Sequence, residues 1–227
     1  MRVSEPDMYA GGVALVAGYF IGGIPFGLIL GWMKGVDIRK SGSGNIGATN
    51  LGRALGKKWG FIGLALDIAK GLLPVLFIAP AIAFSFLGAD QHIACAAMGV
   101  GTILGHVFSP YLRFRGGKGV ATTIGAFSAL LLWWILLPLV GYVVVRKKSG
   151  YVSAGSITFA TLLPVAAALM HRNELASAWP VVALAAATGV LVLVRHASNI
   201  KRLASGEEMA APANEARSAG GANGGER

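Results

Sequence analysis

Residues 120–145 read VATTIGAFSALLLWWILLPLVGYVVV, an apolar run without a single charge. Arg113, Arg115 and Lys118 stand before it, and Arg146, Lys147 and Lys148 follow it. A full membrane crossing takes about 20 residues, so 26 residues are too many for one tight span and too few for two. Basic residues at membrane ends favour the cytoplasmic side, and here both ends are basic. Pro138 interrupts the run, removing a backbone donor in its second half. The stretch is therefore expected to form a short hairpin of two half-length helices, shielded by neighbours.

The rest of the chain demands the same membrane setting. Of 227 residues, 55% are hydrophobic and 13% charged, where a soluble domain carries about 25% charged. Mean hydropathy is +0.64. That excludes a soluble globular enzyme, a disordered chain and a coiled coil. Further apolar runs cover Tyr9–Met33, Phe61–Phe84, His92–Ser109, Ser156–Met170 and Trp179–Val194. The expected fold is an all-α integral membrane protein of about seven transmembrane helices, five full spans plus the hairpin. Residues 1–209 form one polytopic domain in this reading, and 210–227, rich in Ala, Gly, Asn and Glu, a disordered cytoplasmic tail.

Lys and Arg total 20 against 10 Asp and Glu. Apart from Arg2, Lys70, Arg172 and the tail, they gather in four places: Lys34–Lys58, Arg113–Lys118, Arg146–Lys148 and Arg195–Arg202. The positive-inside bias puts all four in the cytoplasm, with the N-terminus outside and the C-terminus inside. Membrane anchoring explains this excess of cations without nucleic acid. The single cysteine, Cys95, excludes an intramolecular disulfide, and no metal-ligand spacing is present. Gly23, Gly27 and Gly31, spaced by four, predict close helix packing. Asp67 and Lys70, three apart within a span, predict an intramembrane ion pair that orients the first loop.

Four cytoplasmic segments carry chemistry. The first, SGSGNIGATN at 41–50, is followed by Arg53. Its glycines allow backbone N–H groups to converge on an anion, and its small polar side chains add donors. The second joins His106 to the RGGKG run at 115–119, opening directly into a helix. It is not a nucleotide-binding P-loop, since Lys118 is followed by Gly119 and Leu112 stands where the first glycine belongs. The third, around Ser153 and Ser156, also reads as a plain helix N-cap. The fourth runs RHASNIKR over 195–202, placing His196, Asn199 and Arg202 on one helical face. Donor-rich cationic elements on one face point to a substrate bearing phosphate. Charge alone permits transport of a phosphorylated solute as readily as catalysis.

These motifs, in this order, resemble those of the bacterial acyl-phosphate:glycerol-3-phosphate acyltransferases, the PlsY family. The matching residues are Ser43–Asn50 with Arg53, Gly105-His106-x-Phe108 with Phe114–Thr122, and His196-x-x-Asn199-Ile200-x-Arg202-Leu203-x-x-Gly206-x-Glu208. Asp67-x-x-Lys70-Gly71 and the segment from Tyr151 to Ile157 belong to the same likeness, which runs from about Ile24 to Glu208.

The resemblance implies transfer of an acyl group from acyl phosphate to the 1-hydroxyl of sn-glycerol 3-phosphate. Lysophosphatidic acid and phosphate are the products, and phospholipid synthesis begins there. It implies no cofactor and no metal. Partners are the two substrates and membrane lipids, and a monomer in the bacterial cytoplasmic membrane suffices, with its active site on the cytoplasmic face. The catalytic residues it implies are Lys118, His196, Asn199 and Ser43. Gly44, Asn45, Gly116, Gly117 and Gly119 would cradle the acyl phosphate. Arg53, Ser153 or Ser156, His196 and Asn199 would hold glycerol 3-phosphate, with Glu208 orienting the cations. Ser41, Thr49, Asn50, His106, Arg115, Lys201 and Arg202 complete the implied binding set.

Overall fold

The computed structural model describes residues 3–173 and 175–211, with side chains except those of 174–178. Every regular element among them is helical. α1 (Glu5–Gly23) opens with Ser4 and Asp7 capping each other's backbone amides, which satisfies donors a helix start would leave bare. Pro25 lacks the N–H to continue it, so the chain breaks there and resumes as α2 (Phe26–Met33). The short α3 (Ala48–Leu55) then leads into α4 (Lys57–Leu73). At Pro74 the same missing donor loosens the helix into a π turn before α5 (Ala79–Ser85). α6 (Gln91–Val107), α7 (Val120–Leu131), α8 (Leu136–Ser149), α9 (Val152–Met170), α10 (Leu175–Arg195) and α11 (Ala197–Ser205) follow.

Five stretches are long and apolar enough to cross a membrane: Glu5–Met33, Lys57–Ser85, Gln91–Leu112, Val120–Ser149 and Val152–Met170. α10 and α11, bent by 56° at His196, make a sixth if taken together. Val120–Ser149 is not a straight rod. Leu132 turns the chain at φ +50°, and α7 packs on α4 whereas α8 packs on α9. A straight helix of that length would separate its ends by about 45 Å. Instead, short links join them. Lys118 bonds Asn199, Asn199 bonds Glu208, and three residues later the Ala211 amide donates to the Gly150 carbonyl. Both ends of the segment thus lie at one end of the bundle, as two half-length helices require. The start of α1 is at the other end, where the Asp90 amide donates to Asp7 at 2.7 Å and Tyr9 stacks on Phe86.

Glycine sets how closely the spans approach. A β-carbon on Gly101 or Gly105 of α6 would strike carbonyls of Leu15 or Tyr19 on α1, and one on Gly125 of α7 would strike Ile68 on α4. The series Gly23, Gly27 and Gly31 does something different. Because the helix breaks at Ile24–Pro25, these glycines face Pro110, the Ile46 carbonyl and the Val36 carbonyl, which are loop residues. They admit the site-bearing loops, not a neighbouring helix.

The buried pair of Asp67 and Lys70 forms at 2.8 Å. Lys70 also donates at 2.8 Å to the Ile24 carbonyl at the break, an acceptor it shares with the Phe26 amide. The pair therefore anchors the α1–α2 joint, not the 41–50 loop itself. Ala210 and Ala211, assigned from sequence to the tail, are tied down by Arg53 and Gly150. The remainder of that expected tail, 212–227, lies outside the described residues.

Candidate active site

The 34–47 loop, the 108–119 loop and the α10–α11 bend meet around a cavity of about 480 Å³. It is lined by Ser43, Gly44, Asn45, Arg115, Gly116, Lys118 and Arg202, all expected, and by Arg39, Arg195 and Ser198, which were not. Five of these side chains are cationic and none is a carboxylate.

The first loop is shaped by Asn50. Its amide donates to the carbonyls of Ile38 and Ser41, and its oxygen accepts from the Ser43 amide at 2.9 Å. Gly44 takes φ +67°, open to glycine without strain, which lets its amide return to the Ser41 carbonyl. Asn45 accepts from the Gly47 amide. The amides expected to form an anion nest here are thus spent holding the loop. The second loop repeats the pattern: Gly116 and Gly117 donate to the carbonyls of Val107 and His106. A β-carbon at Gly117 would overlap the His106 ring. The positive character of the cavity therefore rests on side-chain cations more than on backbone donors.

Those cations are held in different ways. Arg195 spans the Gly116 and Gly117 carbonyls at 3.2 and 3.3 Å, with Phe108 under its guanidinium. Arg39 is gripped by both oxygens of Asp37 and lies over Trp32. That hydrogen-bonded guanidinium holds the Asp37 carboxyl down to about 2. Lys118 donates to Asn199 Oδ1 at 2.5 Å, and the Asn199 amide donates to Glu208 at 2.6 Å. Arg202 completes the set with a 2.8 Å bond to the other Glu208 oxygen. Burial pushes the Lys118 ammonium down to about 8; Glu208 opposes this, while Arg202, Arg53 and Arg195 add to it. Burial raises the Glu208 carboxyl, but bonds from Asn199, Ser153 and Arg202 leave it below its ordinary value.

His196 is 2% exposed, and its Nδ1 lies 2.8 Å from the Val192 carbonyl. A carbonyl only accepts, so Nδ1 carries the proton and Nε2 keeps its lone pair. Ser153 is buried at the same junction.

Other sequence candidates stand outside the cavity wall. His106 is buried beneath the second loop, 3.7 Å from Asp67, and supports Gly117 from below. Asn50 is a buried brace. The Ser41 hydroxyl is buried. Ser156 bonds the Val152 carbonyl within its own helix, and Lys201 is exposed. Thr49 faces a second groove on the far side of α3. Arg53 reaches the carbonyls of Met209 and Ala210. Gly117 and Gly119 shape the loop, Gly119 with φ +88° at the start of α7. The sequence held a signal for Arg195, beside His196 in the fourth motif. Nothing local marked Arg39, which reaches the cavity only because the loop folds back.

Residues 12–206 match the family described as glycerol-3-phosphate acyltransferase. A glycerol-3-phosphate acyltransferase of Anaeromyxobacter dehalogenans (strain 2CP-1) is 42% identical over 207 residues, covering 90% of this chain and 98% of its own. One from Geobacter sulfurreducens is 41% identical over 190 residues, covering 84% and 92%. Two crystal structures of PlsY (YgiH), an integral membrane glycerol 3-phosphate acyltransferase, share the fold at 34% identity. The glycerol 3-phosphate form has a TM-score of 0.77 and covers 91% of this chain and 98% of that one. The lysophosphatidic acid form has a TM-score of 0.74 and covers 88% and 94%.

Proposed function

This chain belongs to the glycerol-3-phosphate acyltransferase family, and we infer from that membership and from the cavity how it works. It is an integral membrane acyltransferase that acylates glycerol 3-phosphate to lysophosphatidic acid. The acyl donor is acyl phosphate, and the acceptor oxygen is the 1-hydroxyl. The observation that carries the donor assignment is the cavity itself, with five cations on its wall, Lys118 among them, and no carboxylate among the lining residues. Acyl phosphate is already an activated mixed anhydride, so no covalent intermediate on the enzyme is needed. The difficulty is to hold two phosphate-bearing anions side by side, and converging cations offset their repulsion.

Ser43, Gly44, Asn45, Gly116 and Lys118 face the acyl phosphate, and Lys118 stabilises charge on its leaving phosphate. Arg202, Asn199, Ser153, Arg53 and His196 serve the glycerol 3-phosphate side, with Glu208 fixing Asn199 and Arg202. The 1-hydroxyl attacks the acyl carbonyl, the carbonyl–phosphate bond breaks, and phosphate departs. The Nε2 lone pair of His196 is one route for the hydroxyl proton. A phosphate oxygen of a bound substrate offers the other route.

Residues 1–209 act as one polytopic domain, a monomer with five full spans and the re-entrant pair α7–α8. The cation-bearing end faces the cytoplasm of a bacterial inner membrane, leaving the N-terminus outside. Charge bias and the shared location of both ends of 120–149 support this. Transport of a phosphorylated solute is not favoured, since the cations cluster at one end of the bundle. The test is purified protein with palmitoyl phosphate and glycerol 3-phosphate, without CoA or metal. Phosphate and lysophosphatidic acid should form in equal amounts. Activity with an acyl thioester but none with acyl phosphate would overturn the donor assignment.

A further inference from the structure

A second cavity, of about 320 Å³, lies between α3–α4 and α8–α9. Its wall is apolar along Ala48, Phe61, Leu64 and Val152, with Lys57 and Arg146 on its rim. Both cations are exposed, and neither has a carboxylate partner among the described residues. Phe61 is 70% exposed on a span that must face lipid. The groove thus combines a hydrocarbon-facing slot with two cations at the end of the bundle where the basic loops gather. We propose that this groove binds one anionic phospholipid of the surrounding bilayer, its phosphate between Lys57 and Arg146 and one chain along Phe61 and Leu64.

The structure favours a bilayer lipid over the reacting substrate. Neither Lys57 nor Arg146 lines the catalytic cavity. The chain at 209–211 bridges the two walls of the groove, taking bonds from Arg53 on α3 and donating from Ala211 to Gly150 beside α9. A headgroup on the rim bridges these same walls. α3 also carries Asn50, which holds the Ser41–Asn45 loop, so lipid in the groove steadies the catalytic loop through α3. The inference goes beyond the proposed reaction and needs only that this end lies at the membrane surface.

The full chain is reconstituted in phosphatidylcholine vesicles, with and without a minority of phosphatidylglycerol, and retained lipid is counted by native mass spectrometry. Wild type should keep one phosphatidylglycerol and turn over several-fold faster in its presence. The Lys57→Gln/Arg146→Gln double variant should bind that lipid about thirtyfold more weakly, from two interfacial cations. It should lose the stimulation while keeping its activity in phosphatidylcholine. Leu64→Trp, which fills the slot and keeps both charges, should lose the lipid too. Lys147→Gln/Lys148→Gln removes equal charge outside the groove and should behave as wild type. Equal loss in that control would mean surface attraction alone and overturn the site. A raised KM for palmitoyl phosphate in the Lys57/Arg146 variant would assign the groove to the substrate chain and overturn it as well. If no variant turns over in either vesicle, lipid retention still decides the matter independently of the reaction.

Discussion

Replacing Lys118 by Ala removes the cation on which the charge argument turns. At about 4 Å from a phosphate oxygen and an effective dielectric near 20, one unit charge contributes roughly 4 kcal/mol. Arg115, Arg195, Arg202 and Arg39 remain on the wall and recover part of it. The net loss should be about 3 kcal/mol, or roughly 10²- to 10³-fold in kcat/KM, the range for removing one preorganised donor. The assay follows phosphate and lysophosphatidic acid together, with Tm measured to show that the fold survives. Titration adds a second readout. Lys118 is lowered to about 8, chiefly by burial, so the ammonium is present below that value and lost above it. kcat/KM should therefore fall as pH rises through about 8. Bound anions favour the charged form, so the same limb should appear at higher pH in kcat. Lys118→Arg, whose charge does not titrate in this range, should flatten the limb even where its activity is lower. A Lys118→Ala enzyme within threefold of wild type, or an unchanged limb in Lys118→Arg, would refute the assignment.

Gly117→Ala drives a methyl into the His106 ring; displacing the loop should cost about a hundredfold in kcat/KM, and near-normal turnover would show the loop plays no positioning role. His196→Gln should lower kcat by about 10² or more if Nε2 takes the hydroxyl proton, whereas an undiminished kcat removes His196 as the base. Asp67→Asn strands the Lys70 charge inside the bundle, so unfolding should become easier by about 3–5 kcal/mol; an unchanged Tm in detergent would count against the anchor. Lys147→Cys in a Cys95→Ser background should resist an impermeant thiol reagent added from outside intact cells, and labelling there would mean that 120–149 crosses once.

The spans were legible because lipid allows few solutions: an apolar run of sufficient length must be helical. The turn within 120–149 was legible in part, through Pro138 and the charges at both ends of 120–145. The loop chemistry was only half legible. Residue type singled out Ser43, Lys118 and Arg202 as a set suited to an anion, and all three line the cavity. It could not separate residues that face the cavity from residues that build it. Asn50 and His106 have donor chemistry suited to a ligand, yet Asn50 spends it on backbone carbonyls and His106 lies buried beneath the loop, 3.7 Å from Asp67. Local pattern also missed Arg39, whose place depends on the turn closed by Asp37 and on Trp32 beneath it. The glycines at 23, 27 and 31 were misassigned because the spacing argument assumed an unbroken helix through Ile24–Pro25.

Such a density of cations has to be restrained without being neutralised. Carboxylate partners would orient the arginines and also cancel the field the substrates need. The site divides the work. Arg39 and Arg202 are held by Asp37 and Glu208, so their charge is partly spent. Arg195, by contrast, is held by two backbone carbonyls and Lys118 by the side-chain carbonyl of Asn199. Neutral acceptors fix direction at little electrostatic cost, leaving both full charges for the incoming phosphates. The carbonyls at Gly116 and Gly117 are available because the amides of those residues turn the other way, toward Val107 and His106. The close loop packing that only glycine permits there is thus what orients Arg195. Glycine-for-alanine exchange at 117 and loss of the Lys118 charge should therefore weaken the same step by different means. Their double variant should lose less than the sum of the two, because a displaced loop has already withdrawn Lys118 from the phosphate.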